Sequence, residues 1–140
     1  MAAIVSTNQS NSANYIQGTI KPVITITAAT TLTTAQSGCI VLVSKAAAYT
    51  ITLPPPTLAG LSFTLLGGAV AAFAATVACG AGLLSGHWRQ ISGAATAATA
   101  ATSIAFTATS VLGDRAEFLY DGTQWQVVAS GAAAASFVFA

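Results

Sequence analysis

The chain has very little charge. Of its 140 residues four are Lys or Arg and three are Asp or Glu, so 5% are charged, against about 25% in ordinary soluble proteins. The formal net charge is +1, while 54% of the residues are hydrophobic. The four cations, Lys21, Lys45, Arg89 and Arg115, are scattered and cannot neutralise a run of phosphates, which argues against a nucleic-acid partner. A surface left to Ala, Ser, Thr and Gly, close to neutrality, is poorly solvated and favours association. The expectation is a protein that lives inside an assembly covering much of its surface.

The residues that do chemistry are equally scarce. His87 is the only histidine, next to Trp88 and Arg89. No Ser, Cys or carboxylate has a local claim on it, so a structural histidine at a strand end is the better reading. Asp114, Glu117 and Asp121 are the only acids. A turn explains Asp121 and strand alternation explains Glu117, so neither a calcium site nor a glycosidase pair is built from them. Gly80-Ala81-Gly82 lacks the third glycine and the helix of a dinucleotide motif, and no G-K-[ST] occurs. Cys39 and Cys79 stand in apolar, strand-like context; small buried hydrophobes are the favoured reading, with a disulfide left open. No catalytic, cofactor-binding or metal-ligating residue is assigned, and no enzyme is expected.

Targeting signals are missing too. No positively charged stretch precedes an apolar one at the start, so folding in a cytoplasm is expected. Between Lys45 and Arg89 there is no charge, and residues 65–84 read L-L-G-G-A-V-A-A-F-A-A-T-V-A-C-G-A-G-L-L, long enough to span a bilayer. Its strongly apolar members are few, each worth only about −0.3 to −0.6 kcal/mol on insertion. Gly67, Gly68, Gly80 and Gly82 punctuate it as turns do. A membrane span is therefore not the preferred reading.

What is present is period two. Residues 1–20 are small and polar, with S-T-N-Q-S-N-S at 6–12. Alone they cannot bury enough apolar area to offset their ordering entropy, so they read as an extended arm that needs a neighbouring subunit or partner to lie on. From Lys21 onward apolar and polar residues alternate. Strand-like stretches occur at 23–27, more weakly at 30–34, then at 39–43, 49–53, 61–65, 73–79, 86–91, 103–107 and 136–140. The run C-I-V-L-V at 39–43 suits a strand covered on both faces. Pro54-Pro55-Pro56 must leave the sheet. The A-A-T repeat at 94–102 offers no apolar stripe for a helix and reads as a loop or irregular edge strand. The apolar terminal strand at 136–140 is expected to pair with a neighbour.

The clearest unit is 115–130, R-A-E-F-L-Y-D-G-T-Q-W-Q-V-V-A-S. Asp121-Gly122 is the dipeptide of a two-residue hairpin loop. Closing the hairpin there sets Tyr120 opposite Thr123, Phe118 opposite Trp125, Ala116 opposite Val127 and Glu117 opposite Gln126, with Tyr120 and Trp125 on the core face. The whole describes one all-β domain over residues 21–140: a β-sandwich, jelly roll or small barrel of about ten short antiparallel strands, preceded by the arm.

The order of parts resembles a family. T-L-T-T-A-Q-S-G-C-I-V-L-V at 31–43, Y-T-I-T-L-P-P-P at 49–56, G-L-S-F-T-L at 60–65 and Y-D-G-T-Q-W-Q-V-V-A-S-G at 120–131 are similar to strings in tailed-bacteriophage head-decoration (cement) proteins and in β-rich tail-fibre domains. The resemblance extends over about residues 30–131 and separates phage structural proteins from others better than head from tail. It implies a virion protein on the capsid surface, commonly a homotrimer, whose partners are the major capsid protein and other copies of itself, and it brings no catalytic residues. The alternative it leaves is a trimeric tail-fibre or spike module binding host glycans, which would group exposed aromatics at one end. A lysis or membrane protein using residues 65–84 is the third reading.

Overall fold

The computed structural model describes residues 21–44, 47–68 and 74–140; the expected arm, the start of the 73–79 strand and Lys45 lie outside the described residues. Among the described residues twelve strands form two sheets: β1 (Val23–Ile26), β2 (Thr30–Thr31), β3 (Ile40–Val43), β4 (Tyr49–Thr52), β5 (Ser62–Gly67), β6 (Ala75–Ala78), β7 (Leu84–Gln90), β8 (Ala95–Ala101), β9 (Ser103–Phe106), β10 (Arg115–Tyr120), β11 (Trp125–Gly131) and β12 (Phe137–Phe139). The larger sheet runs β1-β3-β5-β10-β11-β7-β8 and the smaller β12-β9-β6-β4-β2. The architecture is the expected all-β sandwich.

The strand directions correct one expectation. The sheets are mixed: β1, β3 and β5 run parallel, as do β2, β4 and β6, and β11 is parallel to β7. Parallel neighbours need a crossover, which helices usually supply. Here the crossover is a strand of the opposite sheet. The chain runs from β1 in the large sheet to β2 in the small one and back to β3, then repeats through β4, β5 and β6, so the first half winds as a flattened coil. Only the second half contains antiparallel meanders, with β5-β10-β11 in one sheet and β6-β9-β12 in the other.

Alternation decides the core. Inward positions of the large sheet carry Ile26, Val41, Val43, Phe63, Leu65, Ala116, Phe118, Tyr120, Trp125, Val127, Ala129, Leu84 and Trp88; those of the small sheet carry Tyr49, Ile51, Ala75, Val77, Ile104, Phe106 and Phe137, all buried. Register stacks them into rows, such as Val41–Leu65–Ala116 and Ile51–Val77–Ile104. Two aromatic groups pack the core, one within the large sheet and one across the two sheets. Trp125 packs on Phe63 and Tyr120, with ring centres 6.0 and 5.5 Å away. Trp88 from the large sheet meets Phe137 of the small sheet at 6.0 Å, and Phe137 meets Phe106 at 4.7 Å. Such pairs add about 0.5–1.5 kcal/mol each beyond burial. The Trp125 Nε1–H is buried without an acceptor, so this ring is held by packing rather than by its polar edge.

The hairpin keeps its faces but not its register. Tyr120 pairs with Trp125, Phe118 with Val127, Ala116 with Ala129 and Glu117 with Val128, two residues away from the expected pairing. The Asp121 carboxylate is the cause. Its Oδ1 accepts the N–H groups of Thr123 and Gln124 at 2.8 and 2.9 Å, and the Asp121 N–H donates to the Gln124 carbonyl at 3.1 Å, making the loop four residues, 121–124. Because side chains alternate with period two, a shift of two leaves every inward residue inward.

Three further expectations are refined. The A-A-T stretch is the edge strand β8, irregular at the bulge between Leu84 and Gly86. The terminal strand β12 pairs with β9 of its own chain and forms an edge of the small sheet. Residues 65–84 are divided among β5, β6 and the start of β7 around a segment outside the described residues, and no helix among the described residues is long and apolar enough to cross a membrane.

Candidate functional site

The residues considered for chemistry are not brought together. His87 projects from the middle of β7 rather than a strand end, exposed between Ala97 on one side and Val128 on the other. No group of three His, Cys, Asp or Glu among the described residues could hold a metal ion. The three acids have separate structural work. Asp114 is buried, and its carboxylate accepts the N–H of Val111 at 3.0 Å and of Ala132 at 2.8 Å, fastening two loops together. Glu117 is exposed and pairs with Arg115 at 3.2 Å on the same strand; an ion pair so exposed contributes little stability. Asp121 closes the hairpin, and Gln126 Nε2 donates to its other oxygen at 2.7 Å. Hydrogen bonds from the Gln124 backbone, the Gln126 side chain and the Thr123 backbone hold its carboxyl below the usual carboxylate range.

Both cysteines are free and buried, as small hydrophobes are. Cys79 Sγ donates to the Thr102 carbonyl at 3.1 Å, and burial pushes its thiol up to about 11. It is a poor nucleophile at neutral pH, since the thiolate is the reactive form. Of the Trp and Tyr residues expected to pack rather than to form a stacking platform, Tyr49, Trp88, Tyr120 and Trp125 are buried and Tyr15 lies outside the described residues; Phe63, Phe106, Phe118 and Phe137 are buried too.

What remains is surface, and the two faces of the sandwich differ. On the outer face of the large sheet, register lines up Val23, Ile40, Thr64, Glu117, Val128 and His87 in one row, and Thr25, Leu42, Leu66, Arg115, Ser130 and Arg89 in the next. Val23, Leu119 and Val128 expose 56, 48 and 51% of their surface. Beside Leu119 and Val128 lies an open recess of about 360 Å³ walled also by Lys21, Ser62, Thr64, Glu117 and Gln126. Aliphatic side chains spaced between isolated charges make a shallow surface suited to another protein. The small sheet instead presents Thr31, Thr50, Thr52, Thr76, Ala78, Ala105 and Val138, with no charge in these rows.

The residues that make the first face were not singled out by sequence reasoning. Their signal is present: Leu119 and Val128 are apolar at positions where hairpin alternation demands an outward residue, and Val23 does the same on the edge strand β1. Comparison of the sequence with known protein families and with curated proteins finds no match.

Proposed function

We propose that the chain is a virion structural protein, a capsid decoration or cement protein that binds the shell of major capsid protein and stabilises the head. The observation that carries this reading is the outer face of the large sheet, where half-exposed Val23, Leu119 and Val128 stand among Lys21, Arg89, Arg115 and Glu117. Such a face loses apolar area to water at a cost until something covers it; burial is worth about 25 cal/mol per Å². The act of binding is itself the function here, because contacts bridging neighbouring capsomers resist expansion of the shell. The resemblance implies three copies, and linking copies multiplies modest single-site affinities by avidity. Residues 1–20, read from their composition as an arm, extend the contact in this proposal, and a truncation lacking residues 2–18 is expected to weaken shell binding.

The glycan-binding fibre module needs exposed aromatics grouped at one end. Among the described residues the aromatics lie inside, apart from half-buried Phe139, so no observation favours that alternative. Cryo-electron microscopy of the particle that carries the chain separates the two. Density at capsomer junctions with the large sheet facing the shell supports the proposal; density confined to the tail tip overturns it.

A further inference from the structure

A two-sheet sandwich has four edge strands, and an uncovered edge is a template for pairing with another chain. Three of the four are blunted here. β1 has four residues and follows Lys21-Pro22, whose carbonyl already accepts Ile40 N–H at 2.8 Å. β2 has two residues. β12 has three, and its end is fastened by Ala140, whose carbonyl accepts the N–H groups of Thr102 and Ser103 at 2.7 and 3.1 Å.

β8 differs in length, and its bulge is confined to one end, at Thr99 and Ala100. It is seven residues long, A-T-A-A-T-A-A, with five of the seven exposed, and it contains no Lys, no Pro and no inward charge. The Gln90 N–H donates to the Ala94 carbonyl at 2.8 Å, which sets the phase of the ladder with β7. In antiparallel pairs successive residues alternate between bonding the partner and pointing away. Thr96 and Ala98 therefore bond toward β7, while the N–H and C=O of Ala95, Ala97 and Thr99 point out of the free edge. Ala100 N–H points inward again, to Ser85 Oγ at 3.3 Å. Beside this edge the sandwich opens as an apolar recess of about 350 Å³ between β8 and β12, lined by Trp88, Thr96, Ala97, Ala135, Phe137 and Phe139.

We infer that the β8 edge pairs with the β8 edge of a second copy of this chain, antiparallel about a two-fold axis, joining two seven-stranded sheets into one continuous sheet. Charge selects the occupant. There is none from Gln90 to Gly113, so the strand meets its own image without like-charge repulsion, and it gives a foreign strand nothing but backbone to recognise. Centring the axis on Ala97 places Ala97 opposite Ala97 of the second copy and Ala95 opposite Thr99, so that all the outward backbone groups find partners. Alanine and threonine are small enough for the strands to reach the ordinary spacing of about 4.8 Å. The second copy also lies over the recess and shields its aromatic lining. An isologous contact of this kind uses the same patch on both subunits. It uses a sheet edge rather than the sheet face of the shell-binding proposal, and it is compatible with the three copies of that proposal as a hexamer.

Native mass spectrometry and hydrogen exchange of the intact chain test it, with Ala97→Pro as the edge-blocking variant. The Ala97 N–H makes no bond within its own sheet, so the substitution leaves the ladder whole, and proline is tolerated where the N–H faces outward. The wild type is expected as an assembly of even copy number, a dimer or, combined with a threefold contact, a hexamer; Ala97→Pro halves the copy number while leaving circular dichroism unchanged. The Ala97 amide is expected to be protected at concentrations where the assembly forms. Should Ala97→Pro fail to fold, Ala95→Lys/Ala97→Lys carries the same expectation through charge repulsion. A monomeric or trimeric wild type, an assembly that survives both variants, or an Ala97 amide exchanging as fast as a loop amide within the assembly overturns the inference. Loss of shell binding with the even-numbered assembly intact would instead count against the cement proposal alone.

Discussion

Removing the Asp114 carboxylate should destabilise the fold more than removing any other charge. Its Oδ2 takes the Val111 N–H at 3.0 Å and its Oδ1 the Ala132 N–H at 2.8 Å, while its own backbone takes the Gly67 N–H at 2.7 Å and donates to the Val111 carbonyl at 3.0 Å. One residue thus ties the turn before β10, the end of β5 and the segment after β11. Hydrogen bonds to a charged group contribute about 1.5–3 kcal/mol each, so two give about 3–6 kcal/mol. Val111 and Ala132 are themselves exposed, so water can reach their freed N–H groups, and the release of a buried charge returns part of its desolvation cost. The expected net loss for Asp114→Ala is then about 2–4 kcal/mol. Asp114→Asn keeps one acceptor but turns an amide NH₂ toward a backbone donor, and should lose about 1–3 kcal/mol. Urea unfolding followed by the fluorescence of Trp88 and Trp125 reads this directly. With a slope of about 2 kcal/mol/M, the alanine variant's midpoint should fall by about 1–2 M. A midpoint within about 0.3 M of wild type would refute the reasoning, as would an asparagine variant weaker than the alanine one.

Gly86 lies between β11 and β8 with φ +151, where an added Cβ collides with the Val127 carbonyl; Gly86→Ala is expected to cost about 3 kcal/mol or more or to prevent folding, whereas Gly82→Ala, with open space around it, should cost about 1 kcal/mol, a contrast that thermal melts resolve. The Cys79 thiol, raised to about 11, is favoured in its neutral form by the fold, so the stability it contributes is whole below its unfolded value and is lost as pH rises through about 11; native protein should resist alkylation at pH 8 and react fully in denaturant, and rapid native labelling at Cys79 would sink this account. For Asp121 the sign reverses: its folded value is lowered, so its contribution is whole above the unfolded value of about 3.9 and fades as pH falls through the lower folded value. A carboxyl titration by NMR with a midpoint at or above about 3.9 would contradict the Asp121 turn.

Much of the fold was legible because strands announce themselves by alternation, and the buried set follows from it residue by residue. Alternation puts Phe118, Tyr120, Trp125 and Val127 on the core side whether the hairpin loop has two residues or four, since a two-residue slip preserves faces. What alternation does not carry is direction. Val23–Ile26 and Ile40–Val43 would alternate in the same way in a hairpin or in a coil; the outcome depends on Thr30–Thr31 crossing to the other sheet, and two threonines give no sign of that. The candidate site was harder still. Negative statements about His87, the acids and the cysteines follow from their sparse neighbours in sequence, but the proposed binding face emerges only when the sheet order puts Leu119 and Val128, on neighbouring strands, on the same face as Val23 four strands from Val128.

The coiled first half also distributes resistance to opening unevenly. β10 is held by β5 on one side and β11 on the other, β5 by β10 and β3, and β3 by β5 and β1, whereas β1 has β3 alone. No hairpin lends β1 or β3 a local partner, so each winding depends on the one laid down beyond it, as in a short stack of repeats. Amides should therefore exchange in a graded order, fastest in β1 and progressively slower through β3 and β5 to β10. The protein peels from its N-terminal edge inward, and a ligand or neighbour that grips β1 tightens the whole winding behind it.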